Sequence, residues 1–132
     1  MEQRKLAGTG AELRVRSLTV IDDHGVERVK IAAPLPDPIM LGKREKRDDS
    51  ISGILIYDGR GNERGGYATD NSVGNAFLTL DSDRAQAVTL VAYPGGGAEM
   101  GVNNEKRDAV ALSAVNDGPK VKLVRAGVTI SQ

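Results

Sequence analysis

Apolar and polar positions alternate with a period of two along most of this chain, and no long stretch carries a helical period. Leu13, Val15 and Ser17 alternate with Arg14 and Arg16. Val29 and Ile31 alternate with Arg28 and Lys30, and Val121 and Leu123 with Lys120, Lys122 and Arg125. Such alternation places one set of side chains on each face of a β-strand. Clusters rich in Gly, Asn, Asp and Pro interrupt the pattern, among them Asp58–Gly61, Asp70–Asn75, Pro94–Gly97 and Ala126–Gly127. The pattern predicts an all-β chain with roughly nine to eleven short strands.

The strands group into hairpins with a shared turn. In the stretch from Ile51 to Thr69, the apolar run Ile54–Tyr57 meets Asp58-Gly59-Arg60-Gly61, and a second extended segment leaves through Asn62, Glu63 and Arg64. Asp opens a type I turn because its carboxylate accepts hydrogen bonds from backbone N–H groups just ahead. Gly three residues later takes a positive φ without steric cost, giving a three-residue hairpin loop with a bulge. Gly65 and Gly66 mark a bulge or a close approach of another backbone. Asp22, Gly25, Glu27 and Arg28 repeat this pattern about 36 positions earlier. Weaker copies follow at Asp81-Ser82-Asp83-Arg84 and Asn103-Asn104-Glu105-Lys106, where Arg84 and Lys106 stand in the glycine place and demand a different turn or strain. The Glu27–Arg28 and Glu63–Arg64 pairs are predicted to bridge neighbouring hairpins.

The expected architecture is an antiparallel meander of about five hairpin repeats, closed as a barrel, a sandwich or a propeller-like sheet. Residues 1–12 read as a flexible N-terminal segment and 13–132 as a single all-β domain. Between the first two hairpins lies Pro34–Asp49. Its prolines at every second position forbid helix and central strand. Its charged half, with Lys43, Arg44, Lys46 and Arg47 beside Glu45, Asp48 and Asp49, reads as a solvated loop, with an anion or partner site as the lesser alternative.

With one Phe, three Tyr and no Trp in 132 residues, the core is short of bulk. Domains of this kind gain stability by stacking repeats or pairing subunits, so a homo-oligomer is expected. Eighteen basic and eighteen acidic residues cancel, which argues against nucleic acid or an acidic membrane as partner. There is no Cys and a single His, His24. That rules out thiol chemistry, zinc ribbons and multi-His metal sites within one chain; no metal or cofactor is expected. The N-terminus lacks the apolar core of a signal peptide, and no run reaches transmembrane length, so the default expectation is a soluble cytoplasmic protein.

Candidate binding residues are the turn and loop charges Asp58, Arg60, Glu63, Arg64, Lys43 and Arg44. Glu27, Glu63, Asp58 and Asp81 also stand at matched repeat positions, where a close pair of carboxylates acts as acid and base; their recurrence favours a structural role. The stretches Ala32–Pro38, Gly61–Tyr67 and Asn75–Asp81, together with the Asp-x-x-Gly-x-x-Arg hairpins, resemble a group of uncharacterised bacterial proteins to which no activity is assigned. Two functions follow as expectations. One is a non-enzymatic binding or scaffold module that meets a protein or a small molecule. The other is a small enzyme that uses carboxylates and Arg64 in a cleft or at a subunit interface.

Overall fold

The computed structural model describes residues 10–131. Ten strands form one antiparallel sheet in chain order: β1 (Ser17–Ile21), β2 (Glu27–Ala32), β5 (Ile51–Tyr57), β6 (Glu63–Asp70), β7 (Ala76–Asp81), β8 (Gln86–Ala92), β9 (Ala98–Asn103), β10 (Ala109–Val115), β11 (Gly118–Arg125) and β12 (Val128–Ser131). The excursion between β2 and β5 carries a two-stranded ribbon, β3 (Ile39–Met40) with β4 (Lys43–Arg44). The all-β meander and its five hairpins are those the alternation predicts. No helix among the described residues is long and apolar enough to cross a membrane.

The sheet is open. β1 and β12 are its edges, each paired with one neighbour. A barrel would require those two strands to pair, and a sandwich or propeller would require strands to leave the row for a second sheet. The unbroken strand order leaves a single layer, so none of these closures forms among the described residues. The predicted strand through Leu13 and Val15 is also displaced: both side chains are exposed, and β1 begins at Ser17. Of the predicted N-terminal segment, residues 1–9 lie outside the described residues.

The turns explain the register. Asp22 Oδ1 accepts from the backbone N–H groups of His24 and Val26 at 2.9 and 3.0 Å, and Gly25 N–H donates to the Asp22 carbonyl at 3.0 Å. Asp58 repeats this with Arg60, Asn62 and Gly61. Gly25 and Gly61 have φ of 79° and 83°, as the Asp-x-x-Gly pattern predicts. Two further turns share the geometry: Tyr93 with Gly96, and Asn104 with Arg107. In the latter, Asn104 Oδ1 accepts from Lys106 and Asp108, and Arg107 sits at φ 63°. The strain expected at Lys106 therefore falls one residue later. The β7–β8 turn differs. Ser82 N–H donates to the Ala85 carbonyl at 2.9 Å, a shorter link that needs no left-handed residue, so Arg84 is unstrained.

The core sits on one face, under the excursion. Ala32, Ile51, Leu55, Tyr57 and Ala68 are buried there beneath Leu35, with Phe77 packed alongside. Leu35 N–H donates to the Ile51 carbonyl at 2.8 Å, and Gly42 N–H donates to Asn62 Oδ1 at 3.2 Å. The proline-rich half is thus a packed cover, while the charged half is exposed at Lys43–Lys46 and Asp48, in keeping with its reading as a solvated loop, and turns inward at Arg47. Leu35 supplies the apolar anchor, and the Pro36 carbonyl accepts from the Arg47 guanidinium. Central glycines let the sheet close up beneath it. A Cβ on Gly65 would lie 2.1 Å from the Thr79 carbonyl oxygen, and one on Gly53 would lie 2.3 Å from that of Tyr67.

Candidate functional site

Where the cover meets the β5–β6 and β7–β8 turns, it encloses a cleft of about 100 Å³ lined by Ile39, Arg47, Asn62, Glu63, Asp81 and Gln86, among others. Arg47 reaches it from the charged half of the excursion. Its guanidinium donates to the Pro36 carbonyl at 3.3 Å and to Glu63 Oε2 at 3.0 Å. The Glu63 side chain is 8% exposed and that of Arg47 19%. Burial pushes the Glu63 carboxyl above its usual range; the Arg47 cation opposes this and the Asp81 charge adds to it. Burial likewise raises the Asp81 carboxyl, against a Thr79 hydrogen bond and the Arg47 and Arg64 cations. Asp81 Oδ1 is buried without a hydrogen-bond partner. Burial, with the Glu63 and Glu27 carboxylates nearby, holds the Tyr57 phenol neutral up to about 12. Glu63 and Asp81 are thus two carboxyls, both raised by burial, near one arginine. Among the described residues, no group of three His, Asp or Glu converges to hold a metal ion.

The residues singled out from the sequence separate into three places. Glu63 is in the cleft. Asp58 and Arg60 are at the turn: burial raises the Asp58 carboxyl, but hydrogen bonds from Asn62 and Arg60 and the Arg60 charge outweigh it and leave the group below its usual range. Arg60 also pairs with Asp83 of the next turn at 3.4 Å. Arg64 lies outside, its Nε donating to the Asp81 carbonyl at 2.8 Å. Arg28 does the same to the Tyr57 carbonyl at 3.1 Å. These two arginines therefore stitch hairpins together through strand-end carbonyls, and the predicted Glu–Arg bridges do not form. Glu27 instead reaches Lys30 at 3.8 Å, within its own strand. Lys43 and Arg44 are exposed on the ribbon, with Arg44 donating to the Asp37 carbonyl at 2.7 Å. The sequence reading passed over Arg47 as a cleft residue. Its only signal was a position in a charged run, because its partner is 16 residues away and meets it only when the excursion folds back.

The second feature is the face of the sheet opposite the cover. Residues paired across antiparallel strands share a face, so the registers define two rows. One runs Val20, Val29, Ile56, Gly65, Leu80, Val88, Val102, Val110, Leu123. The other runs Leu18, Ile31, Ile54, Tyr67, Leu78, Leu90, Met100, Leu112, Val121. Neither row contains a charged side chain. Most members are exposed: Leu80 55%, Met100 43% and Leu112 44%, against 2% for Leu55 on the covered face. Around Leu90, Met100, Leu112 and Val121 the surface is shallow and open. On the same strands the opposite face carries Thr89, Glu99, Ser113, Lys120 and Lys122. The alternation legible in the sequence is real, but Val29 and Ile31 point away from the chain's own core and toward this face.

Comparison with protein-family models, with curated proteins and with solved structures finds no match to this chain.

Proposed function

We propose that this chain is a non-enzymatic binding or scaffold module that works through its apolar sheet face. One observation carries the reading: two uncharged apolar rows cross nine strands and remain largely exposed, while on β8–β11 the opposite face carries Thr89, Glu99, Ser113, Lys120 and Lys122. Soluble proteins leave contiguous apolar surface of this extent at interaction sites. The hairpin repeat suits the role, since each strand adds one position to each of the two rows and lengthens the surface without altering it.

The raised carboxylates of Glu63 and Asp81 favour a second reading, a small enzyme using acid–base chemistry in the cleft. Two facts weigh against it. At about 100 Å³ the cleft is well below the roughly 300–1,000 Å³ of small-molecule sites. Glu63 and Arg47 also engage each other, and Arg64 is held outside on a backbone carbonyl.

A thermal-shift screen with sugars, nucleotides, metal ions, peptides and metabolites separates the two. The module reading expects no class to raise Tm. A ligand at about 100 times its Kd adds roughly 2.7 kcal/mol, a shift of several degrees for a domain of this size. A reproducible shift that disappears in Asp81→Asn would transfer the function to the cleft.

A further inference from the structure

Resting on the binding reading above, we infer that the occupant of the apolar face is a second copy of this chain, packed apolar face to apolar face. Four observations lead there. The first is extent. Nine strands at ~4.8 Å spacing and two rows of side chains make a stripe of about 43 by 14 Å, on the order of 600 Å² in plan. That reaches the top of the range for the largest apolar patch on a monomer, about 300–600 Å². With the relief of the side chains it approaches the ~800 Å² per partner of a stable interface.

The second is that the chain's long internal excursion is already spent. Residues 33–50, the one long excursion from the sheet, are packed on the opposite face through Leu35 and Arg47. The segment ahead of β1 that is described brings two large apolar side chains, Leu13 and Val15, both exposed. The third is self-complementarity. Each row keeps its character from strand to strand, Val88, Val102 and Val110 in one and Leu90, Met100 and Leu112 in the other. A copy related by symmetry therefore presents matching rows at the ~10 Å spacing of stacked sheets. The fourth is the rim. The turns at one end of the stripe carry charged side chains, including the Arg60–Asp83 and Arg84–Glu105 pairs at 3.4 and 3.6 Å, as expected of a polar border around an apolar interface. The same measure disfavours a bilayer. Strands of four to eight residues in the main sheet fall short of the roughly 9–11 a membrane-spanning strand needs, and a 14 Å stripe is narrower than the apolar band of about 25 Å on such barrels. The sandwich that one chain cannot close is closed by two.

Neighbouring residues on β10 provide the test, because they point to opposite faces. Leu112→Lys and Ser113→Lys are compared with the unaltered full chain by light scattering coupled to gel filtration. The unaltered chain and Ser113→Lys are expected to elute at a multiple of 14.0 kDa, and Leu112→Lys to fall to the monomer mass or shift its dissociation by at least a hundredfold. In case Leu112→Lys fails to fold, the absence of cysteine allows a second reading. Met100→Cys should form copy-to-copy disulfides on mild oxidation, and Glu99→Cys, on the other face, should not. An unaltered chain at 14.0 kDa, or equal cross-linking of both cysteines, overturns the inference. So does a monomer that co-sediments with phosphatidylcholine vesicles, which would give the face to lipid. A monomer whose apolar face binds a hydrophobic dye, with binding lost in Leu112→Lys, would overturn self-association while leaving the wider binding reading in place. A monomer that binds no dye would remove both.

Discussion

At the scale of single residues, the structure turns on close approach and on one buried ion pair. Gly65 has φ 138°, and a Cβ there meets the Thr79 carbonyl at 2.1 Å. Gly65→Ala must displace β7 or strain the backbone and should cost about 2–4 kcal/mol. Gly59→Ala, with nothing within 4 Å of its Cβ, should change stability by no more than about 0.5 kcal/mol. Urea denaturation of the two variants checks the contrast, and equal losses would refute the close-packing account. Arg47→Ala leaves the Glu63 carboxylate buried without its cation and should cost about 3 kcal/mol near pH 7. The folded-state pKa values of Glu63 and Asp81 lie above the unfolded values of 4.5 and 3.8, so the native state holds these protons more tightly. Their contribution to stability is full below the unfolded values and is lost as pH rises through the folded ones. The cost of Arg47→Ala should therefore shrink as Glu63 protonates toward about pH 4. Denaturation curves at both pH values read this directly, and a cost independent of pH would mean that Arg47 acts by packing alone.

At the scale of elements, the turn is the repeating unit. Asp22, Asp58 and Asn104 each accept two backbone N–H groups and set a left-handed residue three places on. In the third of these, Arg107 takes the place of glycine. Arg107→Gly should stabilise the protein by about 0.5–1 kcal/mol by relieving the left-handed strain of a side-chain-bearing residue, an increase readable in Tm. A loss would mean that the Arg107 side chain, which packs over Gly127, outweighs its own strain.

The sequence made these hairpins legible because a turn is local: Asp, Gly and the alternating flanks suffice. The close approach at Gly65 and Gly66 was legible for the same reason, two glycines in a strand having few other uses. The β7–β8 turn was misaligned by a residue because Ser82 replaces an aspartate as the capping side chain. The fold of Pro34–Asp49 was not legible, since its anchor is one leucine and its ties are backbone hydrogen bonds to residues far along the chain. With the cover unseen, Arg47 had no partner, and nothing indicated which face of β2 and β5 the chain itself would bury.

At the scale of the whole molecule, the ten-stranded sheet is amphipathic in one direction only. One face is partly closed by its own cover over the core, and the other carries the exposed apolar rows that the inferred second copy would close. Edge strands β1 and β12 are short, with five and four residues, which limits open-ended pairing along the sheet and leaves face-to-face closure as the favoured contact. The assembled form should therefore be finite, and its stability should depend on protein concentration. The most direct test is sedimentation equilibrium of the unaltered chain over a wide range of concentrations. A single mass at two or more times 14.0 kDa, dissociating only on dilution, is the predicted result. A folded species of one chain mass at every concentration would contradict it.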